Sequence, residues 1–122
     1  MNRPLRPVPK PIKRKKKPRR ERQGLVDKPH VARVRRLPCW ACYEYGMTQT
    51  TPTEAHHPII GRLSQDRAPD VEAQPLCTHH HRGGDPNKIA IHIDPKGFVA
   101  AYGTEADGTA WAHRMIETGR FE

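Results

Sequence analysis

Two short motifs of cysteine and histidine constrain the fold of this chain more than any other feature of its sequence. The first motif runs from Cys39 to Cys42, and the second, from Cys77 to His80, begins 35 residues after Cys42. Two intervening residues let both ligands of such a knuckle point at one ion from a tight turn, and three thiolates with one imidazole complete a tetrahedral shell. We therefore predict a structural zinc ion on Cys39, Cys42, Cys77 and His80.

The composition favours metal over disulfides as the element that stabilises the fold. The chain has 122 residues, 34% of them hydrophobic, so we expect one small domain with a modest core. Three cysteines cannot all pair, whereas three cysteines beside eight histidines suit a metal site. A redox disulfide between Cys39 and Cys42 is the alternative. The sequence has no apolar run of membrane-span length and no secretory signal, so we expect a cytoplasmic protein without a membrane partner.

Basic residues are concentrated at the N-terminus. Eleven of the 22 lysines and arginines lie between Arg3 and Arg22, together with a single acidic residue, Glu21. Prolines and like charges oppose folding, so we predict a disordered DNA-binding arm over residues 1–26 and a folded domain over 27–122. A nuclear-import-like or merely solubilising tail is the alternative. The candidate phosphate contacts are Lys13, Arg14, Lys15, Lys16, Lys17, Arg19, Arg20, Arg62, Arg67 and Arg82.

The remaining pattern predicts a small α+β domain. Asp27 and Asp94 are helix N-caps, each with a proline close behind, and the alternation of isoleucines in 89–93 is typical of a strand. The predicted helices cover 28–37, 78–82, 95–102 and 109–118, and the predicted extended segments cover 53–57, 71–76 and 89–93. The predicted core aromatics are Trp40, Phe98, Tyr102 and Trp111. The histidines expected on the surface without a role are His30, His79 and His113.

A second group of histidines is not required by the structural zinc. His56 and His57 are adjacent in the first predicted strand, where neighbouring side chains face opposite ways. One of them can therefore bind metal while the other reaches towards a reacting bond. His81 directly follows a predicted zinc ligand, and His92 arrives on the next segment. The alternative is that the adjacent pair occupies an ordinary turn.

Together these motifs resemble the HNH (His-Me finger) endonucleases that have a treble-clef zinc core. The likeness lies in residues 37–42, 54–58 and 75–82 and covers about residues 38–93. With "HVARVRRLPC", "EAHHPIIGR", "QPLCTHHHRGG" and "AIH", the chain is most similar to the phage and prophage Ref recombination-enhancement nucleases. This resemblance implies a ββα-metal core with flanking helices, phosphodiester hydrolysis in DNA, location in the cytoplasm of a bacterial host, and a RecA filament as partner.

The resemblance also implies roles for individual residues. His57 corresponds to the general base that deprotonates the attacking water. His56, His81 and His92 correspond to the ligands of one divalent ion, which stabilises charge on the leaving 3′ oxygen. Imidazole ligands suit Zn²⁺, Mn²⁺ or Ni²⁺ better than Mg²⁺. The working ion, Mg²⁺, Mn²⁺ or Zn²⁺, stays open. The DNA substrate can be single-stranded, a displacement loop or a duplex.

Two positions depart from the family pattern. Glu72 stands where many members have an asparagine that supports the loop presenting the base. His92 follows His81 by 11 residues, whereas the corresponding ligand usually comes about one helical turn later. The competing interpretation is a non-enzymatic, zinc-stabilised nucleic-acid-binding protein. A third interpretation, an RNA-binding protein of ribosomal type, is supported by the basic arm alone. A zinc deaminase is excluded because no His-x-Glu motif occurs.

Overall fold

The computed structural model describes residues 26–60 and 68–121. The predicted arm, with its seven candidate phosphate contacts, lies outside the described residues except for its last residue, and so do Arg62 and Arg67. In chain order the elements are α1 (Lys28–Arg36), α2 (Trp40–Glu44), β1 (Thr53–His56), a 3₁₀ helix (Asp70–Glu72), β2 (Gln74–Cys77), α3 (Thr78–His81), α4 (Pro95–Tyr102) and α5 (Glu105–Thr118). Within these ranges, every helix is too short or too polar to cross a bilayer.

The two strands form a small antiparallel sheet, and the helices surround it, so the domain belongs to the predicted α+β class. Thr53 pairs with Cys77 at one end of the sheet, and His56 pairs with Gln74 at the other end. Because β2 runs directly into α3, the sheet fixes both the second cysteine knuckle and the histidines that follow it. The first knuckle packs against β2 through α2.

Side-chain caps explain where the longer helices begin. Asp27 accepts a hydrogen bond from the backbone N–H of His30 at 3.1 Å, and Asp94 accepts one from Gly97 at 3.0 Å, as the sequence predicted for both helices. The last helix starts at Glu105 rather than near residue 109, so that prediction was wrong. A capping box between Thr104 and Asp107 starts this helix one turn earlier.

Gly108 explains how closely α5 approaches the sheet. A Cβ at this position would collide with the carboxamide of Gln74 and the indole nitrogen of Trp40. Those two groups are hydrogen-bonded to each other, because Trp40 Nε1 donates to Gln74 Oε1 at 2.7 Å. Gln74 Nε2 in turn donates to the backbone carbonyl of Glu105 at 3.0 Å. The glycine therefore permits a contact that joins β2 to the start of the last helix.

Two predicted strands were wrong in whole or in part. Residues 91–93 form a turn, in which the N–H groups of Ile93 and Asp94 donate to Ala90 O at 3.1 and 2.9 Å. The N–H groups of Ile91 and His92 donate to the carbonyls of His80 and His81 in α3. The isoleucines do not share one face, since Ile91 packs into the core while Ile93 is 71% exposed. The strand predicted over 71–76 begins only at Gln74, since the 3₁₀ helix occupies the residues before it.

The core lies between the sheet, the two cysteine knuckles and helices α4 and α5. The four predicted core aromatics are all buried, and Leu76 and Ile91 complete the same cluster. His30 was expected on the surface but is only 8% exposed, and its ring packs against that of His113 with centroids 5.4 Å apart. This histidine pair therefore belongs to the contact between α1 and α5.

Candidate metal centres

Three cysteines and one histidine form a closed cluster that could bind a metal ion such as zinc. The ligand atoms of Cys39, Cys42, Cys77 and His80 all lie within 4.8 Å of one another, and all four residues are buried. His80 Nδ1 lies 3.5, 3.4 and 3.3 Å from the three sulfurs, and Cys42 Sγ lies 3.9 Å from Cys77 Sγ. A tetrahedron with Zn–S of about 2.3 Å and Zn–N of about 2.0 Å has edges of roughly 3.5 to 3.8 Å, so the spacing fits zinc.

The electrostatics of this cluster suit a bound cation. The hydrogen bond between Cys39 and Cys77 lowers the pKa of Cys77 to about 3, and the same contact together with burial raises the pKa of Cys39. Three buried sulfurs at this spacing therefore cannot all ionise unless a positive charge lies between them. A divalent ion supplies that charge, and a shell of four protein ligands leaves no position for a substrate. This centre is suited to stabilising the fold.

His56, His81 and His92 form a second cluster that could hold a metal ion. The ring centroids of His56 and His81 are 5.0 Å apart, and His81 Nε2 lies 3.1 Å from His92 Nε2. His56 is buried, His81 is half-buried and His92 is exposed, so this cluster opens to solvent on one side. Three protein ligands and an open side are the arrangement of catalytic rather than structural metal sites.

Two carboxylates fix the orientation of the rings in this histidine cluster. Glu105 Oε2 lies 2.6 Å from His56 Nε2, and Glu54 Oε1 lies 2.9 Å from His81 Nδ1. These contacts leave His56 Nδ1 and His81 Nε2 to face an ion, and His56 Nδ1 is a buried atom without a hydrogen-bond partner among the described residues. A carboxylate behind a metal-binding imidazole sets its tautomer and raises its basicity. The donor set therefore fits a divalent ion.

Glu105 also accepts hydrogen bonds from the backbone of the loop that follows β1. Besides His56, it accepts hydrogen bonds from the backbone N–H groups of Ile59 and Ile60, the latter at 2.7 Å. Burial tends to raise the pKa of Glu105, but the hydrogen bonds from His56 and the two amides outweigh it, and the pKa lies below its usual value. Glu105 therefore joins the end of β1, the following loop and the start of α5.

All three histidines of the cluster favour the neutral form that binds metal. Burial is the largest cause that lowers the pKa of His56, and the Glu105 carboxylate only partly offsets it. Burial likewise lowers the pKa of His81 and that of His92, and His81 lowers the pKa of His92 further. Imidazoles that are neutral near pH 7 present lone pairs to a cation without first losing a proton.

His57 points away from this cluster and contacts a different carboxylate. Its Nε2 lies 2.8 Å from Oδ1 of Asp70, a buried residue in the 3₁₀ helix, and the His57 side chain is 16% exposed. Asp70 Oδ2 accepts a second hydrogen bond from the backbone N–H of Asp27 at 2.8 Å. His56 and His57 thus contact different partners, as expected of neighbours at the end of a strand. The proton on His57 Nε2 leaves Nδ1 as the basic atom.

The remaining predicted site residues have mixed outcomes. Arg82 was predicted to contact phosphate, and its guanidinium donates to both carboxylate oxygens of Glu54, although the side chain stays 64% exposed. Glu72, which replaces the asparagine of the family pattern, is exposed and binds Thr109 through its backbone carbonyl only. Asp70, two positions earlier, is the residue that supports His57.

Sequence reasoning missed Asp70 and Glu105 as parts of the site. Glu105 contacts a histidine 49 residues away, and the one local signal was the capping box that places it in the first turn of α5. No periodic pattern in the sequence marks Asp70. Searches of protein-family models, curated proteins and solved structures found no match for this chain.

Proposed function

We propose that this protein is a metal-dependent DNA endonuclease of the HNH type, related to the Ref nucleases. The observation that carries this proposal is the open cluster of His56, His81 and His92 beside a fourth histidine, His57, held by its own carboxylate. The order β1, β2, α3, with ligands on the first strand and the helix, supports a ββα-metal core.

The chain's own residues divide the chemistry between them. A divalent ion on the three histidines would polarise the scissile phosphate and stabilise charge on the leaving 3′ oxygen. Glu105 and Glu54 hold the tautomers of His56 and His81. Asp70 keeps the proton of His57 on Nε2, so Nδ1 takes the proton of the attacking water. The basic arm holds DNA through its phosphates, and a RecA filament is the proposed partner.

His57→Ala is expected to abolish cleavage without loss of metal. A positioned general base contributes about 100- to 10,000-fold in rate, and His57 is not a ligand of either cluster. Nicking of supercoiled and single-stranded DNA with Mg²⁺ or Mn²⁺, with and without a RecA filament, measures this effect. His79→Ala is the matched control, because this neighbour of the zinc knuckle also belongs to neither cluster. Metal analysis should find two ions per chain in all three proteins.

Other results would redirect the proposal. Cleavage by His57→Ala at the wild-type rate would show that His57 is not the general base. DNA binding without any cleavage, together with one ion per chain, would identify a zinc-stabilised binding protein instead. Cleavage that requires the filament would support the relation to the Ref nucleases.

Asp70→Asn is expected to lower kcat by about ten- to 100-fold, the usual cost of removing a group that orients a functional imidazole. The carboxamide can still accept from Asp27 N–H, but its amino group then faces His57 Nε2 and favours the wrong tautomer. Glu72→Gln, an exposed neighbour, is the control and should keep full activity. An equal loss in both variants, or a loss of bound metal in Asp70→Asn, would contradict the orienting role.

A further inference from the structure

A cleft with two arginines lies beside the histidine cluster. It has a volume of about 360 Å³ and is lined by Arg35, Thr53, Glu54, Ala55, His81 and Arg82. His81 belongs to both places, because its Nδ1 faces Glu54 in the cleft while its Nε2 faces His92. The cleft and the candidate ion position therefore lie at opposite edges of one imidazole ring.

The charges of the cleft match a single phosphodiester. The carboxylate of Glu54 is already bound by His81 Nδ1 and by the guanidinium of Arg82. Arg35, in the last turn of α1, is exposed and has no ion-pair partner among the residues that the structure describes. Two guanidinium groups and one carboxylate leave one net positive charge, which suits one anionic phosphodiester.

We infer that this cleft binds a phosphate of the DNA strand that neighbours the scissile phosphate, with Arg35 as its principal contact and Arg82 beside it. The inference rests on the proposed function and adds a residue, Arg35, that positions the substrate backbone. Because successive phosphates follow one another along a strand, a strand whose scissile phosphate lies at the histidine cluster must place a neighbouring phosphate close by. A contact of this kind fixes register and carries no sequence preference.

Two substrates separate the cleft from the metal centre. Bis(p-nitrophenyl) phosphate has one phosphate and engages only the ion, whereas DNA also engages the cleft. In the full chain with Mn²⁺, Arg35→Ala is expected to lower kcat/KM for DNA about tenfold, as for one lost charge-assisted hydrogen bond. The same variant should hydrolyse the small substrate at the wild-type rate. Arg36→Ala removes the same charge from the same helical turn but lines a different cavity, so it is the matched control.

A neutral phosphate provides the sharper test. Methylphosphonate placed one position from the cleavage site should slow the wild type about as much as Arg35→Ala does, and should slow that variant no further. Equal DNA cleavage by Arg35→Ala and Arg36→Ala would contradict phosphate binding in the cleft without contradicting nuclease activity. Slower hydrolysis of the small substrate by Arg35→Ala would do the same. Wild-type inactivity on both substrates would overturn the proposed function itself, and the cleft with it.

Discussion

His80→Ala is expected to unfold the domain. Structural zinc sites in small domains are worth about 10–16 kcal/mol in apparent binding free energy, which is comparable to or larger than the roughly 5–15 kcal/mol stability of a whole domain. The substitution removes the atom that lies 3.3 to 3.5 Å from all three sulfurs and leaves those buried sulfurs around an incomplete shell. Circular dichroism and zinc analysis should show loss of the ion and of the cooperative thermal transition.

The neighbouring histidine supplies the control for this experiment. His79 lies in the same short helix, but its ring contacts Thr50 and Asp85 instead of sulfur, so His79→Ala should keep the cysteine-bound zinc and a cooperative transition. A strong zinc chelator added to the wild type should reproduce the unfolding of His80→Ala. A zinc-free His80→Ala protein that still melted cooperatively would mean that the apolar core alone holds the fold.

Glu105→Ala is expected to cost about 1–3 kcal/mol of unfolding free energy, the usual cost of leaving a buried donor without an acceptor. That donor is the ring N–H of the buried His56, and the backbone N–H groups of Ile59 and Ile60 lose the same acceptor. His56 also loses the contact that sets its ring, so the second ion should be lost while the cysteine-bound zinc remains. Urea unfolding of the zinc-loaded protein and metal analysis measure the two effects.

A second carboxylate on α5 tests whether the loss of stability is specific to position 105. Glu117 is exposed near the end of α5, and Glu117→Ala should change stability by less than about 0.5 kcal/mol. Glu105→Gln keeps an oxygen for the backbone amides and should fall between the two. If Glu105→Ala bound two ions with wild-type stability, the carboxylate would have no part in forming the histidine centre.

The sequence predicted those parts of the site that depend on local spacing. Cys39 and Cys42 are two residues apart within one turn, and Cys77 and His80 are equally close, so each knuckle is visible without knowledge of the fold. The caps at Asp27 and Asp94 are local in the same sense, and both helices were confirmed. The α+β class followed because these signals alternate with short extended segments.

The parts that escaped prediction depend on contacts between distant segments. Glu105 is 49 residues from His56, and Asp70 is 43 residues from the backbone N–H of Asp27 that it also binds. No periodicity connects such positions, since only the folded chain brings them together. The strand predicted over 89–93 was wrong for the same reason. Ile91 packs into the core, and the N–H groups of Ile91 and His92 donate to α3, whereas Ile93 is exposed and its N–H donates to Ala90.

The two centres are completed at different times as the chain is synthesised. All four ligands of the cysteine centre have been made once His80 is added, whereas the carboxylate that fixes His56 arrives with the first turn of the last helix. A chain that ends before Glu105 has the four ligands of the cysteine centre but lacks the anchor of the histidine centre. If the histidine centre cuts DNA, that capacity is acquired only after the start of α5 has been made.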